Sequence, residues 1–76
     1  MPTTSGPDLR RERRAADVTV VAMRPLMGLS RQAIHSIERA AAPSPERVRQ
    51  YRDALARAVA ERLEEASRHD DGTMTA

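Results

Sequence analysis

Gly28 is the residue that most restricts what this chain can fold into. It stands between two short stretches whose apolar residues recur at helical spacing, Met23, Leu26 and Met27 before it and Ala33, Ile34 and Ile37 after it. A glycine at such a junction permits the left-handed backbone that ends one helix and turns the chain sharply into the next. Thr19 and Ser30 stand where N-caps are needed for these two helices. The middle of the chain is therefore expected to be a helix, a tight turn and a second helix.

The flanks extend the helical pattern. Residues 1–6 are polar, with Pro and Gly, and are expected to form a disordered tail. Pro7 and Asp8 then suit the first turn of a helix carrying Leu9, Ala15 and Ala16. Asp17 and Val18 form a break. Residues 18–22 are the one run with an extended character, and it is too short and isolated to build a sheet. Pro43 and Pro45 interrupt again, with Ser44 as a third cap and Pro45 at the favoured first helical position. More than twenty residues without a breaker follow, striped by Val48, Tyr51, Leu55, Ala58, Val59 and Leu63. Asp53 with Arg57, and Glu64 with Arg68, are acid-before-base pairs four residues apart that would support this helix. The expected fold class is all-α: a small helix-turn-helix bundle of four to five helices with a long C-terminal helix. Its parts are a helix-turn-helix domain over 7–57, a helical extension over 58–68 and a disordered tail over 69–76.

Composition narrows the function. With 76 residues the chain has room for one core, and that core lacks Phe and Trp and has a single Tyr. So thin a core predicts added burial from a partner or a second copy. No cysteine is present, and His35 and His69 are far apart, so neither a metal site nor a cofactor is expected. No secretory or membrane-spanning run is seen, which makes a cytoplasmic, nucleoid-associated protein with no membrane partner the expectation. Every basic side chain is Arg, as codon use in a GC-rich genome would favour, so charge placement is more informative than arginine number. Residues 1–52 carry ten Arg against five acids, and residues 53–76 carry three against six. A basic front half suits a polyanion.

The second helix of the central pair has the chemistry to read that polyanion. With Ile34 and Ile37 turned inward, Arg31, Gln32, His35 and Ser36 face out near its start. Arginine pairs with guanine and glutamine with adenine through two hydrogen bonds in the major groove. Arg10, Arg11 and Arg14, with the amides near Thr19 and Ser30, are the candidate phosphate contacts. Thr19, Gly28, Leu29, Ser30, Arg31, Ile34, Ile37 and Glu38 together resemble the Cro/C1-type (XRE family) domain of phage and bacterial repressors. The similarity continues into Pro43, Ser44, Glu46, Ala54 and Leu55, covering roughly residues 9–55. It implies an ion pair between Arg13 and Glu38 and a sequence-specific DNA-binding regulator, a repressor, acting on double-stranded DNA. Three positions depart from the pattern. Val20 stands where the family has a phosphate-binding Gln, and Arg24 where it has a small residue. Pro25 removes a donor from the middle of that helix and invites a kink.

A second register competes. Residues 37–51 resemble a pattern of small helix-turn-helix proteins of GC-rich bacteria, in which the helix opening at Ser44 would read DNA with Arg47, Arg49 and Gln50. No catalytic residue is proposed, since Ser30, Ser36, His35 and Glu38 lack a third group to orient the imidazole and an oxyanion loop. In the C-terminal helix, Ala58, Val59, Leu63 and Ala66 are candidates for a dimer arm. A homodimer would pair two recognition helices with two half-sites. The rival to DNA binding is a helical interaction module, with vestigial or no DNA binding, in which the bundle or its C-terminal helix alone docks a protein such as RNA polymerase or a toxin.

Overall fold

A computed structural model describes the backbone of residues 3–75 and the side chains of residues 3–67. The chain is all-α. Its helices are α1 (Gly6–Ala15), α2 (Val20–Met27), α3 (Arg31–Arg39) and α4 (Pro45–Thr75), with no strand among the described residues.

The N-terminus is built in, not trailing. The Ser5 hydroxyl accepts the Asp8 amide at 3.2 Å, and the Asp8 carboxylate accepts the Ser5 amide at 3.1 Å. This reciprocal cap starts α1 at Gly6, with Pro7 at its second position. These bonds also hold the Asp8 carboxyl below the usual carboxylate range, the Ser5 amide first and the Ser5 hydroxyl next. Gly6 is buried, and its amide donates to the Ala40 carbonyl at 2.8 Å. A Cβ there would lie 2.3 Å from the Ile37 carbonyl oxygen and 2.7 Å from that of Ala40. Only glycine lets α1 sit this close to the end of α3. The expected tail over residues 1–6 is therefore too long, because the contact that orders Ser5 and Gly6 comes from a distant segment.

The central turn forms as its sequence dictates. Thr19 caps α2 through the Ala22 amide at 3.1 Å, and Ser30 caps α3 through the Ala33 amide at 3.1 Å. Between them Gly28 has φ 66° and ψ 29°, and the amides of Gly28 and Leu29 both donate to the Arg24 carbonyl. Helix α2 runs unbroken through Pro25, whose missing N–H leaves out one bond in a helix of eight residues. Arg24 is exposed, so it does not obstruct the approach of α2 to α3. Asp17 takes the left-handed conformation at φ 58°, which Asp tolerates better than most residues.

Leu9, Val18, Val20, Met23, Met27, Ile34, Ile37, Tyr51, Ala54, Leu55 and Ala58 form one core, with Leu9, Met23, Ile34 and Tyr51 fully enclosed. Each enclosed aliphatic side chain is worth about 1.5–3 kcal/mol of transfer free energy. Helix α3 packs on α1 and α2, while α4 lies mainly along α2. Val20 is a core residue, which accounts for an apolar side chain at the start of α2.

Helix α4 is longer than expected: its backbone stays helical to Thr75, through the stretch assigned to a tail. Ser44 caps it through the Arg47 amide at 3.2 Å. Ala58 is buried in the chain's own core and so belongs to the monomer, contrary to its assignment to a dimer arm. One turn on, the Arg62 guanidinium donates to the carbonyls of Ala16 (3.0 Å) and Asp17, closing the turn between α1 and α2. Asp53 and Arg57 do not form the expected ion pair. Arg68 of the second expected pair has its side chain outside the described residues. No helix among the described residues is long and apolar enough to cross a membrane.

Candidate nucleic-acid interface

What positions α3 is a buried polar node. The Arg13 guanidinium of α1 donates to Glu38 of α3 through Nε (2.8 Å to Oε2) and a terminal nitrogen (3.2 Å to Oε1). Its remaining terminal nitrogen donates to the Val18 carbonyl at 2.9 Å, and the Tyr51 hydroxyl of α4 donates to Glu38 Oε2 at 2.6 Å. Three helices thus converge on one carboxylate, and every fully buried side-chain polar atom among the described residues has a partner. Burial works to raise the Glu38 pKa, but the hydrogen bonds from Arg13 and Tyr51 outweigh it and hold the carboxyl below the usual range. Burial first, and the bond to Glu38 second, push the Tyr51 phenol well above its ordinary value.

This node fixes which side of α3 is exposed. Ile34, Ile37 and Glu38 are buried, while Arg31, Gln32 and Ser36 are exposed and His35 is half-buried. The four polar residues occupy one side of the helix, spaced at i, i+1, i+4 and i+5. None of them is tied up in a side-chain hydrogen bond within the described residues. Arg39 continues the same side at i+8 from Arg31 and is exposed. It was not among the residues expected here, although the four-residue spacing of Arg31, His35 and Arg39 carries the signal.

The candidate phosphate contacts divide. Arg10 and Arg14 are exposed and have no acidic partner among the described residues. Arg11 is turned to Asp8 at 3.3 Å in an exposed pair one turn apart, which holds it only weakly. The hydroxyls of Thr19 and Ser30 are used as caps, so what these positions can offer an anion is the pair of amides that opens each helix. Arg10, Arg14, His35 and Arg39 line one concavity between α1 and α3, together with Arg13 and Glu38.

The residues of the second register are placed differently. Gln50 Nε2 donates to the Met27 carbonyl at the end of α2 (3.2 Å), and Arg47 donates to Gln50 Oε1 at 2.7 Å. Both therefore serve the join between α2 and α4, and only Arg49 of that set is exposed without a partner. Helices α3 and α4 do not form a closely packed pair, as a helix-turn-helix unit in that register would require. Gln50 reaches across 23 residues, so no local pattern announces its role.

On α4, Val59 is half-buried against the core, and beyond it Leu63 is 64% exposed and Ala66 is exposed, all on one side of the helix. Among the described residues no group of three or more His, Asp or Glu side chains is placed to hold a metal ion. No protein-family model, curated protein or solved structure matches the chain, so the geometry above is what bears on its function.

Proposed function

We propose that this protein is a sequence-specific DNA-binding regulator that inserts α3 into the major groove. One observation carries the reading. Helix α3 is held by its apolar and Glu38 side, while Arg31, Gln32, His35 and Ser36 stand outward with their hydrogen-bonding groups uncommitted. A short helix presented after a tight turn fits the major groove, where Arg31 suits guanine O6/N7 and Gln32 suits adenine N6/N7. The amides opening α2 and α3 and the arginines of α1 supply the phosphate contacts that set orientation. The likeness to the Cro/C1-type repressor pattern points the same way, and repression by occluding a site is the outcome we favour. A dimer through Val59, Leu63 and Ala66 would present two copies of α3 to two half-sites about 34 Å apart.

Affinity for genomic and for random DNA across a salt series tests the reading. DNA binding requires log K to fall steeply with log salt, the slope counting the phosphates neutralised. Absence of binding even at low salt would refute it. That result would favour the interaction-module reading, for which the exposed Leu63 on an acidic stretch of α4 is the supporting observation.

A further inference from the structure

The concavity between α1 and α3 lies beside the base-reading side of α3 and has a chemistry of its own. Arg10 and Arg14, one turn apart on α1, line it from one helix; His35 and Arg39, one turn apart on α3, line it from the other. Between them lie Arg13 and Glu38, the only acid of the lining, and these two are bonded to each other. Their charges cancel. Arg10, Arg14 and Arg39 have no acidic partner among the described residues, so three positive charges are gathered around one hollow without compensation. Like charges one turn apart on a helix repel weakly, and an anion seated among them turns that repulsion into attraction.

We propose that this concavity is a phosphate seat that holds the backbone of the DNA strand bordering the groove occupied by α3. The inference rests on the reading of α3 as the recognition helix. A guanidinium matches the edge of a phosphate with two parallel N–H donors, and the seat can offer three of them around one phosphodiester. The line Arg31, His35, Arg39 runs along one side of α3, and eight residues of helix rise about 12 Å. The major groove is about 12 Å wide. With Arg31 at the base edges, Arg39 lies about one groove width further along α3, at the level of the groove wall, and the α1 arginines that share its concavity face the same phosphates. Arg39 fixes register on the duplex in this arrangement and carries no sequence preference. His35, half-buried between the seat and the outward side of α3, adds a ring N–H to the seat.

The test is the salt dependence of DNA affinity for the intact chain, for Arg39→Ala and for the pair Arg10→Ala/Arg14→Ala, with Arg49→Ala as a control away from the concavity. All four arginines are exposed, and helix content by circular dichroism checks that each variant folds. Loss of one phosphate contact lowers the log–log slope by about 0.9. The disadvantage of Arg39→Ala should therefore be about 3.5-fold greater at 50 mM than at 200 mM salt, with the preferred sequence unchanged. Unaltered slopes in both seat variants, with a salt-sensitive parent, would overturn the seat and leave the DNA reading standing. A parent chain with no affinity at low salt would overturn the DNA reading, and the seat with it. Inorganic phosphate separates a free anion from the backbone. Saturable shifts of the His35 ring signals with phosphate alone, alongside unaltered DNA slopes, would mark a free-phosphate site and overturn the proposal.

Discussion

Replacing Glu38 by Ala should be the most damaging single change away from the enclosed apolar core. The carboxylate accepts three hydrogen bonds, two from Arg13 and one from Tyr51, and its side chain is 3% exposed. Without it the Arg13 guanidinium, 10% exposed, keeps only the Val18 carbonyl, and the Tyr51 hydroxyl loses its acceptor. Removing one partner of a buried ion pair costs about 3–5 kcal/mol, because a desolvated charge is left uncompensated. An orphaned buried hydroxyl adds about 1 kcal/mol or more. A chain of 76 residues has a total stability of about 4–11 kcal/mol, so most of it would be lost. At about 4–8 °C per kcal/mol the melting point should fall by about 20 °C or more. Urea unfolding followed by circular dichroism measures the difference. The triple variant Arg13→Met, Glu38→Leu, Tyr51→Phe should recover most of it, since no charge or hydroxyl is then stranded. If Glu38→Ala unfolds within about 0.5 kcal/mol of the parent, as an ordinary surface change would, Glu38 does not hold the three helices together.

Other outcomes follow from the same geometry. Gly6→Ala should destabilise the chain by more than about 2 kcal/mol, because its Cβ meets backbone atoms that cannot step aside, while its helix propensity alone would stabilise; a more stable variant would place the start of α1 elsewhere. Tyr51 is the only tyrosine, and its phenol is harder to ionise in the folded state than in the unfolded one. That preference is fully present below about pH 10, the unfolded value, and is lost as pH rises through the raised folded value. Phenolate absorbance should therefore appear together with loss of helix, and ionisation with the helices intact would contradict the burial of the phenol and its bond to Glu38. Leu63→Glu should leave the monomer folded, since Leu63 is 64% exposed, yet abolish any self-association seen by sedimentation. A stable monomer for the parent at tens of micromolar would dispose of the dimer arm.

What could be read from the sequence is what is decided within a few residues. Thr19, Ser30 and Ser44 each cap the helix that follows through an amide three positions on, and Gly28 ends α2 by its own backbone freedom. The inward positions Ile34 and Ile37, and hence the outward side of α3, follow from helical periodicity. Long-range contacts were not legible. In the sequence alone Gly6 reads as part of a tail, because its role depends on Ala40, and Gln50 reads as a base contact, because its role depends on the end of α2. Periodicity could not part Ala58 from Leu63 either. Both lie on the α4 stripe, and only the packing of the other helices decides that the first is covered and the second is not.

If α3, and not α4, reads the DNA, sequence preference depends on Arg31 and not on Arg49. The most direct measurement is the sequence preference of Arg31→Ala and Arg49→Ala, selected from a random pool and compared with the parent. Arg31→Ala should lose discrimination at one base position, by about 1–3 kcal/mol, while Arg49→Ala keeps the parental preference. The opposite pattern, preference lost with Arg49 and kept without Arg31, would contradict the account.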